Sequence, residues 1–276
     1  MFTLNCKGRL LILDKPVVMG IINLTPDSFY SGSRQQATDA VLTQAEKMLK
    51  EGATIIDLGA QSTRPGSERI TAEEELNRLL SPLEALSKEF PEAYISVDTF
   101  YAAVAKAAVE SGACIVNDIS AGSLDPAMIS TVASLSVPYV LMHMKGSPQN
   151  MQAHTDYTDV TREVLDFLIW KKAEMEEAGI RDIIIDPGFG FAKNAAQNFT
   201  LLKNIHLFSL PDAPLLLGIS RKSFIWKTLG VNPEQALEGT IAMNTAGLMG
   251  GACILRVHDV KEAVQTIQLV SALQAG

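Results

Sequence analysis

Cysteine is scarce in this chain, and so are the features that mark a membrane, nucleic-acid or secreted protein. Three cysteines in 276 residues, none in a CxxC pair, exclude a disulfide scaffold, and Cys114 and Cys253 fall in apolar runs, as reduced core thiols do. With four histidines and no HxH, HExxH or CxxC spacing, there is no zinc signature. No apolar stretch approaches the ~20 residues of a membrane span. Lys7, Arg9 and Asp14 interrupt any leader, so a cytoplasmic location is expected. Positive charge is in deficit too: a net charge of −8 argues against nucleic acid or an anionic membrane as partner, because phosphate polymers are gripped by clustered Lys and Arg. No Pro/Gly/Ser-rich linker, repeat or low-complexity tract divides residues 1–276, which predicts one domain. At 47% hydrophobic content it can bury a full core.

What is present is a rhythm. Eight short apolar runs recur at fairly even intervals: VVMGII (17–22), TIIDLG (54–59), YISVDT (94–99), CIVNDI (114–119), YVLMHM (139–144), IIIDPG (183–188), PLLLGIS (214–220) and CILRVH (253–258). Continuous rather than alternating hydrophobicity suits parallel strands covered on both faces. Helical segments fill the gaps. Residues 38–51 and 100–111 carry helical-period apolar residues and stop near glycines. Thr71 with Glu74 reads as a capping box, and Asp125-Pro126 and Asn232-Pro233 as caps before a first-turn proline. Segments 157–177, 198–206 and 259–273 complete the set. Eight alternations predict an α/β fold, a (β/α)8 TIM barrel, of the usual ~250 residues. The opening FTLNCKGRLLIL predicts a short N-terminal β-hairpin plugging its bottom. A doubly wound sheet is the rival, but NLTPDSF replaces the Gly-rich first turn which that fold carries.

Nearly every run ends in a polar residue, the layout of a barrel with a chemical site at one end. Arg221, Lys222, Arg256 and His258 end the seventh and eighth runs, a knot of cations in an acidic chain. Arg256 and His258, two apart on a strand, share a face. Asn23, Asp98, Asn117 and Asp186 would lie opposite, as acceptors seeking donors. Such carboxylates are neutralised by cations or by ligand N–H groups. Blander readings apply elsewhere: His143 as a core histidine, His154 and His206 as surface residues, Trp170 and Trp226 as packing anchors, Asp57 and Asp118 as supports, and the Glu73–Glu75 and Glu174–Glu177 runs as solvated helix faces.

Five segments, GIINLTPDSF (20–29), IIDLGAQSTRPG (55–66), DPGFGFAK (186–193), GISRKSFI (218–225) and ILRVHDV (254–260), resemble the motif set of the dihydropteroate synthase family, in its order and at its strand ends. Ala60-Gln61, where Gly-Glu is frequent, and Ala192, in place of a glycine, depart from the commoner pattern. The resemblance implies a transferase that joins 6-hydroxymethyl-7,8-dihydropterin pyrophosphate to para-aminobenzoate. It assigns the pterin edge to Asp186, other ring nitrogens to Asn117 and Asp98, and the ring carbonyl to Lys222. Asp98 and Lys222 become the catalytic pair, with Asp98 stabilising a pterin cation formed by early carbon–oxygen cleavage. Thr63, Arg256, His258 and a Mg²⁺ ion at Asn23 would receive the pyrophosphate. Phe29, Thr63, Arg64 and Pro65 would close over para-aminobenzoate, with Ser223 at its carboxylate. Met142 would pack under the pterin, and Phe191 joins the substrate contacts. A homodimer through the outer helices is also implied. Two other readings stay open: a pterin-binding methyltransferase module of the corrinoid kind, and a noncatalytic pterin-binding relative.

Overall fold

The computed structural model describes residues 1–24, 34–62 and 66–275. Strands β1 (Phe2–Cys6) and β2 (Arg9–Leu13) form an antiparallel hairpin. Then strand and helix alternate: β3 (Val17–Asn23), α1 (Arg34–Lys50), β4 (Ile55–Gly59), α2 (Ala72–Glu89), β5 (Tyr94–Asp98), α3 (Ala102–Glu110), β6 (Ile115–Asp118), α4 (Met128–Leu135), β7 (Tyr139–Met142), α5 (Val160–Glu177), β8 (Ile183–Asp186), α6 (Ala195–Lys203), β9 (Leu216–Leu217), α7 (Ser223–Leu229), α8 (Leu237–Met249), β10 (Ile254–Val257) and α9 (Val260–Ala275). The eight strands β3 to β10 are all parallel, in the order β8-β7-β6-β5-β4-β3-β10-β9. The ring closes through an Ile185–Leu215 bridge, with Ile185 N donating to Pro214 O at 2.9 Å.

A period of two sorts each strand into two faces. One set, including Val18, Ile56, Val97, Val116, Leu141, Ile185 and Leu255, packs under the helices. The other, Met19, Ile55, Ile115, Val140, Ile184, Leu216 and Ile254, fills the lower lumen against Leu4, Cys6, Leu11 and Leu13 of the hairpin, which therefore plugs the barrel floor. All three cysteines are free. Following the inward face upward from this apolar layer leads along the strands to Asn23, Asp57, Asp98, Asn117, Met142, Asp186 and Arg256.

Several local expectations needed correction. The Thr71 hydroxyl accepts from Glu74 N at 3.2 Å, but the Glu74 carboxylate turns to Arg78 at 2.6 Å, so only half of the capping box forms. Asp125-Pro126 lies in a turn, with α4 starting at Met128, and α7 is an extra helix ahead of the short 3-10 turn Pro233–Gln235 capped by Asn232. The helix placed at 198–206 runs instead over Ala195–Lys203, capped by Asn194. Trp170 is 63% exposed rather than a buried packing anchor. Glu75 is fully buried, unlike Glu73 and Glu74, because 100° per residue turns the third glutamate of the run inward.

Candidate active site

The upper lumen holds a cluster of carboxylates around one guanidinium. Arg256, on β10, donates through Nε to Asp57 Oδ2 at 2.7 Å and through Nη2 to Asp98 Oδ2 at 2.6 Å. Asp57 Oδ2 also accepts from Asn117 Nδ2 at 3.1 Å, which leaves Asp57 Oδ1 buried without a partner among the described residues. The sheet brings these groups together: Gly59 pairs with Asp98, and Asp98 with Asn117. Gly59 also clears space, since a Cβ there would lie 3.3 Å from that of Asp98. Asp57 thus orients both Arg256 and Asn117.

One guanidinium cannot fully compensate two desolvated carboxylates. Burial pushes the Asp98 carboxyl up to about 7, aided by Asp57 and Asp118 and opposed mainly by Arg256. Burial opposes the Arg256 charge as well, but Asp57 and Asp98 together outweigh it and raise its pKa, so the arginine stays protonated.

Across the lumen, Asp186 ends β8 beside Met142, its register partner. Its Oδ1 accepts from Gly188 N at 2.7 Å. Burial raises its pKa, with Lys222 leading the opposing influences. Lys222 stands just before α7 and donates to the Phe189 carbonyl. Its Nζ lies 4.3 Å from the centre of the Phe191 ring, and burial lowers its pKa to about 8. Met142 is buried with Phe100 and Ile119, and Phe191 packs on that cluster, forming an apolar wall beside the carboxylates. A carboxylate with a cation on each side of an apolar slot, Asp98 with Arg256 and Asp186 with Lys222, in place of the expected separation of acceptors from cations, suits a flat heteroaromatic ring with adjacent N–H groups.

The expected knot of cations is divided. Arg221 turns away from the lumen into a two-pronged pair with Asp259 at 2.8 and 2.9 Å and donates to the Pro233 and Glu234 carbonyls. Its backbone φ of 54 explains the turn. His258 lies beyond the end of β10, exposed at the mouth, with Nδ1 3.1 Å from Ser220 Oγ. Arg256 is held by the carboxylates of Asp57 and Asp98. Asp118 is a neighbour of Asn117 in sequence but faces outward, bonded to Tyr139 OH, Ser120 N and Gly122 N, where it shapes the loop after β6. Ser223 opens α7 and is exposed. Phe29, Thr63, Arg64 and Pro65 lie outside the described residues.

Asn23 ends β3 on the lumen face. Among the described residues no group of three or more His, Cys, Asp or Glu side chains could hold a metal. A single amide fits an ion that keeps several waters and takes phosphate oxygens, as Mg²⁺ does, rather than one caged by protein.

Sequence reasoning missed two site features. Gln61, buried in the loop after β4, donates through Nε2 to Ser62 O at 2.8 Å and Glu68 O at 3.1 Å and accepts from Ile70 N at 2.9 Å. Ser67 Oγ also donates to Ser62 O at 2.7 Å, so the two ends of segment 62–67 are tied together. Lys193 is the second: a lysine only 3% exposed, inside a motif already singled out. The short lysine-terminated run Gly188–Lys193, with glycines at 188 and 190, was the available signal, since such a loop folds tightly enough to surround its own side chain.

Comparison with known proteins agrees with this geometry. A family described as pterin binding enzyme matches residues 19–258. Dihydropteroate synthase of Escherichia coli K12 is 42% identical over 271 residues, covering 98% of this chain and 95% of that protein. The structure of Xanthomonas albilineans dihydropteroate synthase with 4-aminobenzoic acid superposes with a TM-score of 0.92 at 40% identity, covering 99% of this chain and 98% of that one. The same enzyme in complex with 7,8-dihydropteroate gives 0.88 at 38% identity, covering 99% of each chain. With that identity sustained over nearly its whole length and the same barrel beneath it, the chain belongs to the dihydropteroate synthase family of pterin-binding enzymes.

Proposed function

We propose that this barrel condenses 6-hydroxymethyl-7,8-dihydropterin pyrophosphate with para-aminobenzoate, giving 7,8-dihydropteroate and pyrophosphate. The observation that carries this reading is the inward layer Asp57, Asp98, Asn117, Asp186, Lys222 and Arg256 above an apolar floor, acceptors and cations arranged around one slot.

Asp186 is oriented by Gly188 N–H through Oδ1, which leaves Oδ2 and the second lone pair of Oδ1 for a pterin N–H and the adjacent exocyclic amine. Asn117 and Asp98 meet other ring nitrogens, Lys222 meets the ring carbonyl, and Met142 and Phe191 flank the ring plane. The carbon–oxygen bond breaks first and its electron pair leaves with pyrophosphate, the amine nitrogen of para-aminobenzoate then attacks the pterin methylene carbon, and the attacking nitrogen gives its proton to solvent. Positive charge develops on the ring as that bond breaks, and an ionised Asp98 stabilises it in a desolvated site. Arg256 and His258 receive the departing anion, with Thr63 and a Mg²⁺ ion on Asn23. The ion, when bound, supplies charge neutralisation on the phosphate oxygens. Phe29, Arg64, Pro65 and Ser223 complete the para-aminobenzoate pocket.

A cytoplasmic homodimer is part of the same proposal. Leu229, Met249, Leu269 and Leu273, exposed on α7, α8 and α9, support an apolar contact through these outer helices, and sedimentation at graded concentrations tests it. Among the described residues no helix is long and apolar enough to cross a membrane.

The deciding experiment follows pyrophosphate release from the pterin substrate with and without para-aminobenzoate. Release coupled to formation of the pteroate supports the synthase. Release that never couples to the amine, or none at all, sinks it.

A further inference from the structure

We propose that Lys193, with His143, is a positioning pair for the pterin site: Lys193 folds the loop after β8 around its own ammonium and sets a positive charge behind Asp186. This rests on the reading of Asp186 as the pterin carboxylate. Nothing in the chemistry above uses either residue.

The geometry is a cage. Lys193 Nζ donates to Gly188 O at 2.9 Å and Phe191 O at 3.0 Å and lies 3.0 Å from His143 Nδ1. These three short contacts match the three protons of an ammonium, with the His143 carbonyl at 3.5 Å as a longer fourth acceptor. His143 is suited to accept. It points to the outer face of β7, with its ring edge-on to Phe167 at 5.0 Å. Burial, then Lys193 and Lys145, push its pKa down to about 2, so it is neutral, and with the Lys193 ammonium as donor Nδ1 is the nitrogen that accepts.

The loop's contacts with the site all follow from this curvature. Gly188, Gly190 and Ala192 take φ values of 71, 79 and 49, alternate left-handed residues that turn the Gly188 and Phe191 carbonyls inward to Lys193. A Cβ on Gly188 would collide with the His143 carbonyl, so the glycine is obligatory. Between those residues, Gly188 N holds Asp186, the Phe189 carbonyl holds Lys222, and the Phe191 ring lies beside Lys222.

The charges reinforce the placement. His143 and Lys145 face Lys193 from the β7 side, Asp186 from β8 and Lys222 from the start of α7. Only Asp186 is negative. Burial lowers the Lys193 pKa well below that of an ordinary lysine, and Asp186 is what sustains its charge. Reciprocally, burial raises the Asp186 pKa while Lys222, Arg256 and Lys193 hold it down. Removing Lys193 therefore protonates Asp186 at a higher pH, and a protonated carboxyl no longer accepts two pterin N–H bonds.

The test measures binding of a 6-hydroxymethylpterin by calorimetry from mildly acidic to mildly alkaline pH. The variants are Lys193→Met, Lys193→Gln and, as reference, Asp186→Asn. Lys193→Gln keeps two N–H donors for the loop carbonyls and loses only the charge, so it carries the test if the methionine variant fails to fold. The acid limb of binding moves to higher pH in both lysine variants, with binding several-fold weaker on that limb. The glutamine variant recovers more than the methionine variant at alkaline pH. A Lys193→Gln profile that superimposes on the parent's, or that is lowered equally at every pH, overturns the inference while a weakened Asp186→Asn upholds the site. If Asp186→Asn binds like the parent, the site reading fails and the Lys193 assignment falls with it.

Discussion

Arg256 donates to Asp98 at 2.6 Å, so the group expected to receive pyrophosphate is, without substrate, the counter-ion of the carboxylate expected to stabilise the pterin. Its Nη1 has no hydrogen-bond partner among the described residues, which leaves one edge free for an anion while the other stays on Asp57 and Asp98.

Replacing Arg256 by alanine should therefore act twice. Affinity for the pyrophosphate substrate should fall on the order of tenfold or more relative to the free hydroxymethyl pterin, since a charge-assisted bond is typically worth ~1.5–3 kcal/mol. Stability should also drop by ~3–5 kcal/mol, because two buried carboxylates lose their shared counter-charge. Calorimetry with both ligands and denaturant titration read the two effects separately. Equal weakening for both ligands would remove Arg256 from the phosphate site.

Two buried carboxyls make stability depend on pH in an unusual direction. Asp98 is pushed up to about 7 by burial, and Glu75 to about 7 by burial and then by the nearby Asp98. Neither Glu75 oxygen has a hydrogen-bond partner among the described residues, and Thr99 faces it without meeting hydrogen-bond geometry. A carboxyl with a raised folded pKa binds its proton more tightly when folded than when unfolded. The free protein therefore loses stability as pH climbs from the unfolded value of roughly 4 towards 7. Glu75→Gln should raise Tm at mildly alkaline pH, by up to about 3 kcal/mol of stability, and leave it nearly unchanged in acid. A variant with unaltered pH dependence would show that Glu75 is already relieved. For catalysis the sign reverses, since an ionised Asp98 is wanted, so kcat/KM should fall as pH drops below about 7.

The barrel was legible because its strands are buried on both faces: runs such as IIID and TIID cannot be solvent-facing. The polar ends of the strands were legible, and strand periodicity puts Asp57 with Gly59 and Ile184 with Asp186 on one face, whereas the role of each side chain rests on the family resemblance. Less visible was which of two adjacent polar residues looks inward. Asn117 and Asp118 differ only in parity, and parity became readable once the floor was known to include Ile115. Arg221 misled because β9 is only two residues long and the chain has turned by the time it reaches that side chain. Gln61 and Lys193 act on backbone carbonyls of their own loops, and such partners leave no periodic mark in a sequence.

Gln61 offers a test of the loop after β4. Its amide donates to two carbonyls, which neither alanine nor a carboxylate can do, and it accepts from Ile70 N. Gln61→Ala should cost about 1–3 kcal/mol by stranding these buried groups. Segment 63–65 is flanked by the ends that this side chain ties, so the KM for para-aminobenzoate should rise several-fold while pterin affinity changes little. Steady-state kinetics with each substrate varied in turn separates the two, and a parallel rise in both KM values would point to a general loss of structure.

Asp186→Asn is the sharpest substitution because the structure fixes which atom changes. Gly188 N–H holds Oδ1 at 2.7 Å, so an asparagine keeps its carbonyl oxygen there and places its NH2 where Oδ2 stood. A donor then confronts the pterin N–H groups in a desolvated slot, and turning the amide over would set NH2 against Gly188 N–H instead. Losing a charge-assisted pair and gaining that mismatch should cost ~2–5 kcal/mol of binding. At about 1.4 kcal/mol per tenfold, kcat/KM should fall on the order of thirtyfold or more. Tm should hold, since burial already disfavours the ionised Asp186 and the loss of a counter-charge for Lys222 and Lys193 offsets that relief. A variant that unfolds readily, yet keeps near-normal turnover in its folded fraction, would make Asp186 a structural partner of those lysines and place the pterin elsewhere in the barrel.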